Sequence, residues 1–198
     1  MKILRPCLVL TAALLFLCCV AYPALVTAVA HLAFPHQAEG SLVTEGGRVR
    51  GSSLIGQTFE HPEQHPEYFW GRHSAASVDS ATGVTYSSGS NYGPLHPALR
   101  DEVTARVAAL RATGVQGPIP VDLVTKSASG LDPHISPAAA EVQVERVARA
   151  RHLPDDAVRA LVSAHTLRST FGLLGEPRVN VLELNLDLDA RAAGTAVR

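Results

Sequence analysis

The sequence predicts an α+β protein: a single N-terminal transmembrane helix followed by one mixed α/β extracytoplasmic domain. Three observations predict it. The run from Pro6 to Ala38 contains no Asp, Glu, Lys or Arg. Three later segments carry apolar residues at helical spacing, and Asn180 to Asp189 alternates leucine with polar residues. The expected boundaries are 1–34 for the anchor and 35–198 for the exported domain.

Lys2 and Arg5 precede the apolar run. About 20 apolar residues cross a bilayer as a helix, and Cys7 to Phe34 is long enough. Positive residues ahead of the span hold the N-terminus in the cytoplasm, so the chain after it lies outside. The same leader also fits a cleaved signal peptide, with Leu8 to Val20 as its apolar region and Ala28-Val29-Ala30 as its cleavage site. Pro23 either ends that region or only kinks a spanning helix. The leader alone leaves both readings open, and both export the domain.

Phe34 to Thr44 reads as a polar link. Ser41 to Phe59 predicts short β pieces broken by Gly46, Gly47, Gly51 and Gly56. His61 to Pro94 is loop-like, and the aromatic cluster Tyr68-Phe69-Trp70 argues that it is ordered. Pro97 opens a helix with Leu99, Val103, Val107 and Leu110 on one face, ending at Gly114. Pro118 to Thr125 reads as a buried strand. Ser136-Pro137 starts a helix to about Arg151, with Ser136 as its cap. A third helix begins near Pro154, with Asp155 and Asp156 in its first turn. In the last element Leu182, Leu184, Leu186 and Leu188 face one way, which predicts a half-buried strand.

Composition narrows the function. Of 198 residues, roughly 160 follow the leader, a usual size for one domain. The formal net charge is −1, and without the leader's Lys2 and Arg5 the remainder is −3. A mildly acidic domain offers no basic patch for nucleic acid. All three cysteines, Cys7, Cys18 and Cys19, lie in the leader, so the domain has neither a disulfide nor a thiolate metal site. Leu17 before Cys18 argues against a lipoprotein.

Catalytic motifs are weak. Lys126-Ser127 lacks the glycines of a phosphate-binding loop, and no Gly-x-Ser-x-Gly elbow exists. Lys126 beside Ser127 or Ser129 permits a Ser–Lys pair, although adjacent loop residues more often bond the backbone. His61 and His65 are four apart, but Pro62 and Pro66 oppose the helix that would align them on a metal. Asp132 with His134 is likewise an incomplete ligand set. The polar centre is Ser127 to Ser136, either a loop that orders itself or a docking or ligand loop. Gly89 to Pro94 has the same two readings. Gln143 and Arg146 are candidate partners for these loops.

The motifs string together in order: Gly51-Ser-Ser-Leu-Ile-Gly-Gln57, Tyr68-Phe-Trp-Gly-Arg-His-Ser-Ala75, Gly89-Ser-Asn-Tyr-Gly-Pro94, Val124 to Pro137, Gln143 with Arg146 to Arg151, and Gly175-Glu-Pro-Arg-Val-Asn-Val181 with Leu184-Asn185. The set closely resembles the C subunit of the Kdp potassium-transporting P-type ATPase over nearly the whole chain. Two positions depart from the family pattern: His73 stands where proline is expected, and Tyr92 where leucine is expected.

The resemblance implies a retained anchor and a non-catalytic accessory subunit of a potassium uptake pump in a bacterial inner membrane. It implies three partners: an ATP-hydrolysing subunit that forms an aspartyl-phosphate, a channel-like potassium-translocating subunit, and a small hydrophobic subunit. ATP and potassium ion are then handled by the complex, with no cofactor assigned to this chain. The family is described as a catalytic chaperone that promotes ATP use. Positive-inside topology places this domain opposite the ATP, so a position at the outer mouth of the channel-like subunit fits better. The candidate docking or nucleotide-related loop residues are Gln57, Arg72, Ser74, Ser90, Asn91, Ser127, Ser129, Asp132, His134, Gln143, Arg146, Arg178 and Asn180. The reading from another class is a secreted soluble ligand-binding domain, or a Ser-dependent hydrolase, released after Ala30.

Overall fold

The computed structural model describes residues 3–57 and 65–192, and it divides into two compact units, Met1–Ser52 and Ser53–Arg198. His61 lies outside the described residues.

In the first unit, α1 (Leu4–Phe16), one π turn (Leu17–Ala21) and α2 (Tyr22–Ala33) form one continuous helix of 30 residues. At 1.5 Å per residue it is about 45 Å long, enough to cross the hydrocarbon core of roughly 30 Å. Its large apolar side chains, Leu8, Leu14, Phe16 and Leu25 among them, face outward. Pro23 has no N–H to give the preceding turn. The helix absorbs this with the π turn, in which Tyr22 N–H donates to the Leu17 carbonyl five residues back. A short helix, α3 (Pro35–Ala38), follows. Then β1 (Leu42–Glu45) pairs antiparallel with β2 (Arg48–Ser52). Gly46 and Gly47, both at positive φ, make the two-residue turn between them.

The second unit begins irregularly. Among the described residues before 97, β3 (Ser77–Val78) pairs with β4 (Thr85–Tyr86), and His73 forms an isolated bridge with Lys126. The aromatic cluster is ordered as expected, with Phe69 and Trp70 buried. Helix α4 (Pro97–Ala112) follows the predicted face: Leu110 is buried, and Val103 and Val107 pack against the core. The 118–125 segment is not a strand. It makes a single 3-10 turn (Val121–Leu123), which buries Leu123 and Val124 and lets the Asp122 carboxylate accept from Ser136 N–H at 2.7 Å.

Ser136 caps the next helix, accepting from Ala139 N–H at 3.0 Å. That helix is interrupted: α5 (Pro137–Glu141) and α6 (Val144–Arg151) are separated at Val142-Gln143. Helix α7 (Asp155–Ala164) starts where expected. A three-stranded antiparallel sheet collects β5 (His134–Ile135), β6 (Thr166–Leu167) and β7 (Arg178–Asn180) in the order β5-β7-β6. The core of Phe69, Val144, Val147, Val158, Leu161, Val179, Leu184 and Leu188 lies among this sheet, the helices and the aromatic loop.

The 180–189 strand is corrected to helix α8 (Val181–Ala192). Asn180 Oδ1 accepts from Glu183 N–H at 3.2 Å, a helix-capping bond. Leucines two apart also form rows four apart on a helix, and Val181, Leu184, Asn185 and Leu188 are buried, with Leu182 and Ala190 buried beside them. A segment rich in Leu, Glu and Asp with few β-branched residues lacks the composition of a strand.

Candidate functional site

The separated motifs converge on one loop, 127–132. Ser127 N–H donates to the His73 carbonyl at 3.1 Å, and Gly56 N–H donates to the Leu131 carbonyl at 2.8 Å. Ser88 N–H and Ser87 Oγ both donate to the Ser129 carbonyl, at 3.1 and 2.7 Å. Ser74 Oγ donates to the Gly130 carbonyl at 2.7 Å and accepts from Ala76 N–H. The segments around residues 56, 74 and 88 therefore dock on the loop mainly through backbone groups. Gly130 is required there: at φ +69 a Cβ would lie 2.7 Å from both Ala76 N and the Ser88 carbonyl oxygen.

Charged side chains close the loop. Arg72 pairs with Asp132 at 3.2 Å and donates to the Lys126 carbonyl at 3.2 Å. Asp132 also accepts from His134 N–H at 3.0 Å. The His134 ring beside it, that N–H and the Arg72 guanidinium hold its carboxyl down at about 2. Glu102 gathers Arg106 at 2.9 Å, Lys126 at 3.1 Å and Tyr92 Oη at 3.3 Å. Between these cations His73 is pushed down to about 4, first by burial and then by Arg106 and Lys126.

A second group of bonds holds the aromatic segment. Gln143 Oε1 accepts from Trp70 N–H at 2.9 Å, and Nε2 donates to the Trp70 carbonyl at 3.2 Å. Asn185 treats Phe69 in the same way, accepting from its N–H at 2.8 Å and donating to its carbonyl at 2.9 Å. Each carboxamide replaces one strand partner for a buried peptide, which would otherwise lack its bonds. Arg146, 7% exposed, donates to the carbonyls of Pro66 and Tyr68 and to Gln143 Oε1, and lies 3.5 Å above the Trp70 ring. Burial pulls its guanidinium down to about 9. Arg151 adds bonds to the Glu67 carbonyl and to Asp189, which also accepts from Tyr68 Oη at 3.1 Å.

The predicted residues therefore fall into groups. Arg72, Ser74, Ser127, Ser129, Asp132 and His134 meet in the first loop. Gln143 and Arg146 lie under the aromatic segment. Asn180 stands opposite His134 in the sheet and donates to the Ser53 carbonyl at 2.8 Å. Arg178 sits on β7 opposite Leu167. Gln57 is exposed, as is Asn91, which adopts φ +54; Ser90 beside it is half-buried. Sequence reasoning left Asn185, Asp189 and Arg151 out of the candidate residues, although Arg151 and Asn185 lie within the motifs. The strand reading turned Asn185 and Asp189 outward, and a 3.6-residue period would have placed Asn185 on the buried face.

Lys126 Nζ is held by the Glu102 carboxylate, and Ser127 is only 3% exposed, so the pair lacks the free amine and open hydroxyl of a Ser–Lys nucleophile. His65 pairs with Glu67 at 3.3 Å. What the geometry supplies is a set of loops bonded to one another and to the core, with Ala128 and Ser129 exposed at the surface.

Comparison with known proteins agrees with this geometry. The family described as KdpC: K+-transporting ATPase, c chain, matches residues 4–190. Proteins named Potassium-transporting ATPase KdpC subunit from Burkholderia cenocepacia, Burkholderia mallei and Burkholderia pseudomallei are each 55% identical over 194 residues, covering 97% of this chain and 98% of the relative. A match of that extent takes in the spanning helix, the converging loops and the aromatic clamp together: the chain belongs to the KdpC family of K+-transporting ATPase c chains.

Proposed function

We propose that this chain is a non-catalytic, single-span accessory subunit of an ATP-driven, high-affinity potassium uptake pump. The observation that carries the reading is a family match running unbroken from the spanning helix through the exported domain, residues 4–190. A secreted module or hydrolase would use that helix only for export and shed it after Ala30, and Lys126, the base a Ser–Lys hydrolase would use, is engaged by Glu102.

The anchor, residues 1–34, packs against partner helices in a bacterial inner membrane. Lys2 and Arg5 hold its N-terminus in the cytoplasm, and residues 35–198 stand outside. The partners are the ATP-hydrolysing P-type subunit, the channel-like potassium-translocating subunit and a small hydrophobic subunit. The exposed rim around Asn91 and the Asp132 loop, which the Ser88–Ser129 bond ties together, docks the domain at the outer mouth of the translocating subunit. A mildly acidic domain there does not repel potassium. Any promotion of ATP use on the inner face then passes through the spanning helix.

Affinity purification tests the reading. The tagged full-length chain is recovered from detergent-solubilised membranes of potassium-starved cells and its companions are identified. Recovery of a P-type catalytic subunit and a channel-like subunit is expected. A soluble chain, cleaved to begin at His31 and alone, would refute it.

A further inference from the structure

An exposed apolar cluster of the second unit lies between β6 and β7, directly before the Gly175–Val181 motif and apart in sequence from the Asn91 and Asp132 loops. Thr170 and Leu174 exchange backbone bonds, with Thr170 N–H donating at 2.8 Å and Leu174 N–H at 3.0 Å. Gly172 N–H adds a bond of 3.0 Å to the Ser169 carbonyl. This closes a tight turn between β6 and β7, the latter pairing on its other edge with β5. The turn carries Phe171, Leu173 and Leu174, which are 90, 86 and 65% exposed.

Two features separate this turn from scattered surface leucines. Phe171 is held at φ +55, a conformation that bulky side chains rarely adopt and that clusters at functional sites. The turn is also preordered, so little conformational entropy remains to be lost when its side chains are covered. Three large apolar groups on one rigid tip have the make-up of an interface anchor, which gains its energy by filling a dry pocket.

The rim indicates what covers it. Exposed Arg168 and Glu176 flank the turn, and the Arg178 guanidinium lies at its base, 3.8 Å from where a Cβ on Gly175 would stand. Both signs of charge are present. An anionic bilayer surface attracts arginines and repels Glu176, whereas a protein pocket with a polar rim accommodates both. The family is a subunit of a larger pump, which supplies such a neighbour.

We infer that the Phe171-Leu173-Leu174 tip is an anchor that inserts into an apolar pocket, rimmed by both signs of charge, on another subunit of the same pump. The inference rests on the docking reading above and adds a contact outside the Asn91 and Asp132 loops.

The test places photoreactive p-benzoylphenylalanine at position 173 of the full-length tagged chain, co-produced with the other pump subunits, with position 156 on exposed α7 as control. Irradiation is expected to join 173, and not 156, to a peptide of another pump subunit. In parallel, Leu173→Asp is expected to lower the co-purified subunits roughly tenfold or more while its thermal unfolding matches the unmodified chain, because Leu173 contributes nothing to the core. Adducts only to lipid, only to a second copy of this chain, or to nothing would overturn the inference. So would unchanged co-purification of Leu173→Asp. If the unmodified chain brings down no pump subunit, the docking reading fails with it; if it does and only the position-173 results fail, the tip alone is wrong.

Discussion

Gln143 and Trp70 form a closed two-way pair, the carboxamide accepting from the Trp70 N–H at 2.9 Å and donating to its carbonyl at 3.2 Å. The pair explains why the helix breaks at this point. Gln143 sits in the turn between α5 and α6, its N–H donating to the Ala140 carbonyl three residues back, and its side chain is free to reach across to the aromatic loop. Arg146 then uses the same Oε1 at 2.7 Å, so one glutamine orders both a peptide and a buried cation.

Gln143→Leu should therefore cost about 3 kcal/mol, because it strands the Trp70 N–H and carbonyl and one Arg146 donor in a dry site. Asn185→Leu, which strands the two Phe69 groups, should cost about 2 kcal/mol. For a chain of this size each 1 kcal/mol lowers the melting temperature by about 2–4 °C. Thermal unfolding of the detergent-solubilised chain measures this, and unchanged midpoints in both variants would contradict the clamp.

Gly130→Ala should be more damaging than its size suggests. The new methyl group would meet two backbone atoms at 2.7 Å, in a conformation unsuited to alanine. A loss of about 2 kcal/mol or more is expected, together with faster proteolysis of the loops that dock there. An unperturbed melting curve would show that the loops are not packed backbone to backbone.

Stability should fall in acid through two windows. Below its ordinary value of 6.5, His73 takes up a proton in the unfolded chain but not in the folded one until about 4. Its contribution is complete above pH 6.5 and is lost as pH falls toward 4. Asp132, held down at about 2 from 3.8, contributes fully above its ordinary value and loses that contribution as pH falls toward 2. Melting temperature against pH should flatten between 6.5 and 4 in His73→Gln, and below 4 in Asp132→Asn. An unaltered upper window in His73→Gln would mean that another group sets it.

Ser127→Ala and Ser129→Ala should each support potassium-limited growth as well as the unmodified chain. Ser129 Oγ only accepts from Leu131 N–H at 3.1 Å, a bond whose loss costs about 1 kcal/mol. Abolished growth with intact folding in either variant would restore a hydroxyl-dependent chemistry.

The long N-terminal apolar helix, α4, α7 and the Ser136 cap were legible because each is written locally, in an uncharged run, an apolar stripe or a capping residue. Helix α8 was not. Its leucines every second residue satisfy a strand exactly as far as they satisfy two adjacent helical rows, and packing decides between them. That misreading hid Asn185. The break at Gln143 was illegible for another reason: it answers to Trp70, 73 residues away. The polar loop residues stood out in the sequence, but their convergence did not, since Ser74 meets Gly130 across 56 residues of chain and no spacing records it.

The central claim is that the pump needs this chain, tethered and whole. The most direct measurement is growth at limiting potassium of cells lacking the chain but retaining the other pump subunits, supplied with either the full-length chain or residues 35–198 exported without their anchor. Growth restored only by the full-length chain is the predicted result. Potassium-limited growth that persists without the chain would contradict the account.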